Sequence, residues 1–297
     1  MLRREFTDPF GGKPGVFFFT SSHLETNNLF LNDEEFKYGV NTLAICLPGS
    51  HVSLLCYCLM ANHLHLLLYG RYGDCLVWYD KVMVRLAVWV RRVRGIRGLL
   101  STKDVDIQAV LDTKQFRNVV LYILRNPYRA RICSPFSYRW SSVDVYYNPF
   151  RESVSGTLLK SKTVTQIQRC FGSRKECPDN YEVLDGVVLN RCFVDYKLVE
   201  SKLGDSLSFF DAMRLYDLES AVRLSFGMEE KVRFSDAELM ERLNKVCKEE
   251  LHSSDISSLD QKSILILARI ASKRYGAGKK QIGRVTGLSQ ELLGTLL

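Results

Sequence analysis

Alternating and periodic apolar positions in the first half of the chain predict three strands and three helices. The strands are predicted at residues 15–21, 51–59 and 63–69, and the helices at 33–47, 76–94 and 113–126. Asp33 is the expected N-cap of the first helix. Pro127 should end the third helix, because a proline disfavours the helical conformation of the residue before it. This order of elements predicts an α+β fold in which helices cover an antiparallel sheet.

The second half of the chain divides into an irregular stretch and a helical one. Short apolar pieces alternate with glycine and proline over residues 149–206, which predicts a connector with short helices. From residue 207 onward the periodicity is helical, and Ser235 is the expected cap of an amphipathic helix. The predicted organisation is therefore a sheet domain at 1–148, a connector, and a mostly helical region at 207–297.

A helix-turn-helix motif is predicted at the end of the chain, at about 257–297. Two short helical segments flank a turn that contains Gly287, and Ser289 is the expected cap of the second. In such a motif the second helix enters the major groove of DNA, so Ser289, Gln290 and Glu291 would face bases. The cations expected near phosphates are Lys279, Lys280 and Arg284. The alternative is a small unit of three packed helices.

Two of the five histidines, His63 and His65, are one residue apart in an otherwise apolar predicted strand. Alternate residues of a strand face the same side, roughly 6.5 Å apart, a separation that two ligands of a single divalent metal ion can bridge. Leu64 would then point to the opposite side, into the core. The alternative is a pair of half-buried surface histidines.

Tyr122 and Asn126 are four residues apart, just before Pro127, and on a helix they would share one face close to its end. With the histidine pair nearby, this spacing would place a hydroxyl nucleophile beside a metal ion that has three protein ligands and open positions. An enzyme that nicks a DNA strand through a single tyrosine needs such a nucleophile and metal ion.

Four stretches resemble the HUH single-tyrosine transposases, and within them the REP-associated tyrosine transposases, which are close to the transposases of small insertion sequences. They are residues 16–36, 60–67, 122–130 and 138–142. The second reads Met-Ala-Asn-His-Leu-His, where the family has Met-Pro-Asn-His-aromatic-His. The third reads Tyr-Ile-Leu-Arg-Asn-Pro-Tyr-Arg-Ala, where the family has Tyr-Ile-x-x-Asn-Pro-Val-Arg-Ala. The likeness covers about residues 14 to 148.

The resemblance implies that Tyr122 is the nucleophile and that His63, His65 and Asn126 bind Mg²⁺ or Mn²⁺. Two cations near the tyrosine, Arg125 and Arg129, are predicted to contact DNA. The implied activity is cleavage of single-stranded hairpin or repeat DNA through a 5′-phosphotyrosine, followed by strand transfer. The implied fold is the ferredoxin-like sheet of HUH proteins, followed by a helix-turn-helix similar to that of replication initiators. Whether the protein acts as a monomer or as a homodimer is left open.

The chain also departs from the family's pattern. Residues 90–103 lack the aromatic and glutamine positions of the family's Asn-x-x-x-Gly-x-Leu-Phe-Gln-x-Arg-Tyr-Lys-Ser, Tyr128 replaces valine, and Arg131 stands where glycine is common. These changes bear on how DNA is positioned more than on nicking, and they favour a second hypothesis, a non-catalytic DNA-binding regulator derived from a transposase. A third hypothesis, an RNA-binding sheet, requires the phenylalanines at 17–19 to be exposed for stacking.

Composition narrows the partners and the compartment. Forty-one basic against 33 acidic side chains give a net charge of +8 and a pI near 9.0, which suits a polyanion such as DNA. Nine cysteines without a Cys-x-x-Cys pair predict buried free thiols and a reducing cytoplasm. Because no apolar stretch reaches about 18 residues, we expect neither secretion nor membrane insertion.

Overall fold

The computed structural model describes residues 6–21, 28–97, 100, 105–130, 132–172, 178–214 and 236–296. The chain divides into two compact units. Residues 6–21 and 29–214, with the gaps given above, form the first unit, and residues 236–296 form the second. The fold is α+β, as predicted, with an antiparallel sheet and its helices in the first unit and helices in the second.

The first unit is built on a four-stranded antiparallel sheet with the strand order β2-β3-β1-β4. Its strands are β1 (Gly15–Ser21), β2 (Ser53–Leu59), β3 (Leu64–Gly70) and β4 (Val105–Val110). The first three confirm the predicted strands, and β4 is an additional edge strand. The register places Thr20 of β1 and Cys58 of β2 on either side of His65 in β3.

Helices cover both faces of this sheet. They are α1 (Asp33–Cys46), α2 (Tyr72–Arg94) and α3 (Thr113–Arg129). The first two pack on one face, where Phe19 contacts Tyr79 of α2, and α3 packs on the other, where Phe18 contacts Tyr122. The phenylalanines at 17–19 are at most 1% exposed. The hypothesis of RNA stacking on them is therefore wrong.

The start of two helices differs from the prediction in detail. The N-cap of α1 is Asn32 rather than Asp33, because its side-chain oxygen accepts a hydrogen bond from the backbone N–H of Glu35 at 3.1 Å. The second helix begins at Tyr72, before the predicted residue 76, and ends at Arg94, followed by Gly95 as a left-handed cap with φ of 70°.

The end of α3 also differs from the prediction. The helix continues through Pro127 to Arg129 instead of ending at Asn126. A proline has no N–H to donate to the preceding turn, but at this position the loss affects a single bond near the helix end. The last turn is closed by the N–H of Ala130, which donates to the carbonyl of Asn126 at 2.9 Å.

The segment predicted to be a connector belongs to the first unit. It contains strands β5 (Thr157–Leu158), β6 (Glu182–Leu184) and β7 (Val187–Val188), and helices α4 (Val164–Phe171) and α5 (Tyr196–Leu203). A further helix, α6 (Ser206–Arg214), follows it and belongs to the same unit. The side chain of Asn41 in α1 donates to the carbonyls of Cys170 and Gly186 and accepts from the N–H of Val188. The predicted boundaries at 148 and 206 therefore differ from the observed division, because this segment packs on α1, β2 and α3.

Two segments from later in the chain pair with the outer edge of β2. At one end of the strand, the N–H of Leu59 donates to the carbonyl of Trp140 at 2.9 Å. At the other end, the carbonyl of Leu54 accepts from the N–H of Asp195, also at 2.9 Å. Both ends of this edge strand are thus hydrogen-bonded to chain outside the sheet.

Within the described residues, the second unit holds four α-helices. They are α7 (Asp236–Glu250), α8 (Gln261–Tyr275), α9 (Lys279–Thr286) and α10 (Gln290–Leu296). Their shared core is apolar and includes Leu239, Leu243, Leu267, Ile282 and Leu293. As predicted, Ser289 caps α10, since its hydroxyl oxygen accepts from the N–H of Leu292 at 3.3 Å. Ser235, the predicted cap of α7, lies outside the described residues.

The cysteines within the described ranges are free thiols, and more than half of them are buried, as predicted. The buried ones are Cys46, Cys56, Cys58, Cys75 and Cys247. Cys177 lies outside the described residues. In the part of the chain that the structure describes, no helix combines the length and the apolar character needed to cross a membrane.

Candidate active site

His63 and His65 lie together where β3 begins, on the face of the sheet that α3 covers. Their Nε2 atoms are 3.0 Å apart and their rings are nearly perpendicular, at 86°. Leu64 is fully buried, and its N–H bonds to the hydroxyl of Ser21. His65 is 1% exposed and His63 is half-buried, so the pair lies at the margin of the core.

A different polar side chain contacts the Nδ1 atom of each imidazole. The Oδ1 atom of Asn62 is 2.7 Å from Nδ1 of His63, and an amide oxygen only accepts, so His63 donates through Nδ1 and its Nε2 carries a lone pair. The hydroxyl of Thr20 is 3.2 Å from Nδ1 of His65. When that hydroxyl accepts, both Nε2 lone pairs point into the same space, and a cation between them is favoured. When it donates, His65 carries its proton on Nε2 and donates it to Nε2 of His63 at 3.0 Å.

The distance between the two Nε2 atoms fits a shared divalent ion. Metal–nitrogen bonds are about 2.1 Å long, and two nitrogens 3.0 Å apart then subtend about 90° at the ion, the angle between neighbouring octahedral ligands. Burial lowers the pKa of His65 well below 6.5, and the nearby His63 and Arg129 lower it further. His65 is therefore held as the neutral imidazole, the form that binds metals.

The helix α3 brings Tyr122, Asn126 and Arg129 over this pair, at positions that share one helical face. The ring of Tyr122 lies edge-on to that of His65, with centroids 5.5 Å apart. The guanidinium carbon of Arg129 is 5.0 Å from the centre of the tyrosine ring. Tyrosine and histidines thus meet within a single chain.

The hydroxyl of Tyr122 is buried and, among the residues that the structure describes, has no hydrogen-bond partner. Such a group costs about 1–3 kcal/mol, and most buried hydroxyls are therefore paired. Tyr57 shows the usual arrangement, since its buried hydroxyl donates to Oδ1 of Asn190 at 2.6 Å. An unsatisfied hydroxyl on a ring that contacts His65 marks Tyr122 as the candidate reactive group.

Asn126, the predicted third ligand, lies beside the histidines and is 2% exposed. Its Nδ2 donates to the carbonyl of Tyr122 at 3.1 Å. Burial lowers the pKa of His65, and a hydrogen bond from its ring to the Asn126 side chain acts in the opposite direction. The candidate set is thus two imidazoles and one amide. In the described part of the chain, no group of three His, Cys, Asp or Glu side chains is arranged to hold a metal ion.

Arg125 and Arg129, the cations predicted to contact DNA near the tyrosine, differ in exposure. Arg125 is 3% exposed, so a direct DNA contact does not fit this geometry; Arg129 is half-buried above the tyrosine ring. Tyr122 and His65 are about as buried as Arg125, so the site is closed to a large ligand in this structure.

Predicted DNA contacts in the second unit have partners within that unit. Arg284 forms a two-pronged ion pair with Asp236, with N–O distances of 2.6 and 3.0 Å, which ties α9 to α7. The Nζ atom of Lys279 is 3.4 Å from the carbonyl oxygen of Gly294. The side chains of two further predicted contacts lie outside the described part of the chain: Lys280 and Gln290. DNA binding by these residues stays a prediction.

Thr20 and Asn62 were missed by the sequence analysis. Asn62 precedes His63 directly, and its place in the histidine motif was a usable signal. Thr20 carried no such signal, because only the pairing of β1 with β3 places it beside His65.

Comparisons with protein-family models, curated proteins and solved structures find no match to this chain.

Proposed function

We propose that this protein cleaves and rejoins single-stranded DNA in a metal-dependent reaction with Tyr122 as the nucleophile. The observation that carries the proposal is the buried tyrosine hydroxyl, which no described residue satisfies, on a ring that lies 5.5 Å from the ring of His65. The Nε2 atom of His65 is in turn 3.0 Å from that of His63. The resemblance to HUH single-tyrosine transposases supports it and supplies the class of substrate, hairpin or repeat DNA.

His63, His65 and Asn126 would hold Mg²⁺ or Mn²⁺ through two imidazole nitrogens and one amide oxygen. A bound divalent ion makes a phosphodiester more electrophilic and offsets the charge that develops in the transition state. Thr20 and Asn62 hold the imidazoles by their Nδ1 atoms and so direct both Nε2 atoms at one point.

The covalent step is a transesterification. The oxygen of Tyr122, after losing its proton, attacks phosphorus in line with the bond to the 3′ oxygen, so one P–O bond forms and one breaks. The products are a 5′-phosphotyrosine and a 3′-OH, which takes up a proton. Arg129 offers a positive charge to the incoming phosphodiester. Since the covalent link keeps the energy of the phosphodiester, a second 3′-OH reverses the step and joins strands without a nucleotide cofactor.

A second candidate function is a non-catalytic DNA-binding regulator. The closed state of the site favours it, since Tyr122, His65 and Asn126 are 4%, 1% and 2% exposed. In that case the paired helices α9 and α10 would make the DNA contacts.

The test is incubation with single-stranded hairpin DNA labelled at its 3′ end, because the 5′-phosphotyrosine retains the 3′ portion of the strand. A labelled protein band is expected with Mn²⁺ or Mg²⁺, but not with EDTA or with Tyr122→Phe. Tyr69→Phe, a change at an exposed tyrosine far along β3, serves as the control and should keep the band. Binding without adduct, across several hairpins and both metals, would favour the regulator.

A further inference from the structure

Three large apolar side chains are exposed just beyond the candidate nucleophile. Tyr128 in the last turn of α3 is 39% exposed, and Ile132 and Phe136 in the following loop are 47% and 48% exposed. The loop folds back on the helix, because the N–H of Ile132 donates to the carbonyl of Pro127 at 2.9 Å, and the short helical turn around Phe136 packs against α3. Exposed apolar side chains gathered in this way mark an interaction surface.

The two aromatic rings suit stacking, and one of them is fixed in place. The ring of Phe136 contacts Phe210 of α6, with centroids 5.7 Å apart at an angle of 45°, and still exposes about half of its surface. A ring supported from beneath loses little further conformational entropy when a flat ligand covers it. Tyr128 offers a second ring at the helix end.

The positive charge of residues 128–139 favours an anionic ligand. Residues 128–139 contain three arginines and no aspartate or glutamate. Of these arginines, Arg129 lies over the ring of Tyr122 near the end of α3. Arg139 stacks over Trp140, whose ring packs on Phe36 of α1, so it lies outside this cluster.

We propose that Tyr128, Ile132 and Phe136, with Arg129, form a binding surface for single-stranded nucleic acid. Aromatic rings accept unpaired bases by stacking, at about 1–3 kcal/mol per base, and Arg129 offers a positive charge to the phosphates. A duplex keeps its base faces covered and cannot use these rings. The inference rests on the proposed function for its role, which is to hold the nucleotides that flank the cleaved phosphate.

The test measures binding apart from cleavage, by fluorescence anisotropy of a labelled oligothymidylate in EDTA. Tyr128→Ala and Phe136→Ala are each expected to raise the Kd about 5- to 150-fold, the loss of one stacked base. Phe136→Leu, which keeps the apolar bulk and loses the aromatic face, is expected to weaken binding as well. Tyr69→Ala is the matched control, because Tyr69 is 38% exposed and lies outside this surface.

Unchanged Kd values for the Tyr128 and Phe136 variants would overturn the inference, whether or not a covalent adduct forms. An equal loss of affinity for a blunt duplex would overturn it too, since stacking requires unpaired bases. The adduct assay on the same preparations tests the proposed function separately. Ring-dependent binding without an adduct would keep this surface and remove the nickase.

Discussion

Removal of the Tyr122 hydroxyl is expected to leave the protein at least as stable as before, whereas removal of the Tyr57 hydroxyl is expected to destabilise it. Both tyrosines are buried, and Phe deletes one oxygen in each case. The Tyr57 hydroxyl donates to Asn190 at 2.6 Å, so its loss leaves a buried acceptor unsatisfied. The Tyr122 hydroxyl has no partner in the described chain, so its loss removes a buried polar group that is already unsatisfied.

The magnitudes follow from the cost of an unsatisfied buried group, about 1–3 kcal/mol. Tyr57→Phe should lower the free energy of unfolding of the first unit by about that amount. Tyr122→Phe should leave this free energy unchanged or raise it by up to about 3 kcal/mol. The free energies of unfolding of the two variants should therefore differ by at least about 1 kcal/mol, although each substitution removes one hydroxyl oxygen.

Urea unfolding followed by tryptophan fluorescence measures this difference in EDTA. All three tryptophans belong to the first unit, so the signal reports on that unit alone: Trp78, Trp89 and Trp140. A destabilisation by Tyr122→Phe as large as that by Tyr57→Phe would refute the reasoning, because it would show that the Tyr122 hydroxyl is satisfied in the folded protein.

The remaining predictions concern the orientation of His65 and a buried ion pair between α1 and α2. Thr20→Val should weaken Mn²⁺ binding in a calorimetric titration about 10- to 100-fold. The control is Thr42→Val, which deletes a buried hydroxyl without a partner in the described chain and should leave the Mn²⁺ affinity unchanged. Equal Mn²⁺ affinity in the two variants would exclude the orienting role of Thr20. Glu35→Gln should cost about 3–5 kcal/mol of unfolding free energy, because it breaks the buried pair with Arg94, whereas Glu34→Gln, at an exposed position, should change it by less than about 1 kcal/mol in the same urea experiment. A small loss for Glu35→Gln would mean that the pair is solvated.

Local patterns predicted much of the sheet domain, because its early elements are regular and nearly all buried. The strand β4 was missed although its sequence, Val105 to Val110, alternates buried and half-buried positions over a short length. The predicted boundary at 148 differs from the observed division for another reason. The contacts that join the later segment to the domain, such as Asn41 with Val188, link residues far apart in sequence and leave no periodic signal.

Spacing alone predicted which candidate site residues share a face. His63 and His65 face one side because a strand alternates, and Tyr122 and Asn126 share a helical face because they are four residues apart. Spacing did not reveal Thr20, which depends on the strand register, or the near-complete burial of the tyrosine, which depends on how α3 packs on the sheet.

The hydrogen bonds along the outer edge of β2 affect whether a shortened chain would self-associate. An unpaired strand edge is a template for pairing with another molecule. Here the Leu54 end of β2 is paired only when the chain extends as far as Asp195. A fragment that stops at residue 148 would keep both histidines and the tyrosine, but its β2 would remain open at that end. Self-association of such a fragment would report an uncovered strand and would say nothing of the oligomeric state of the whole protein.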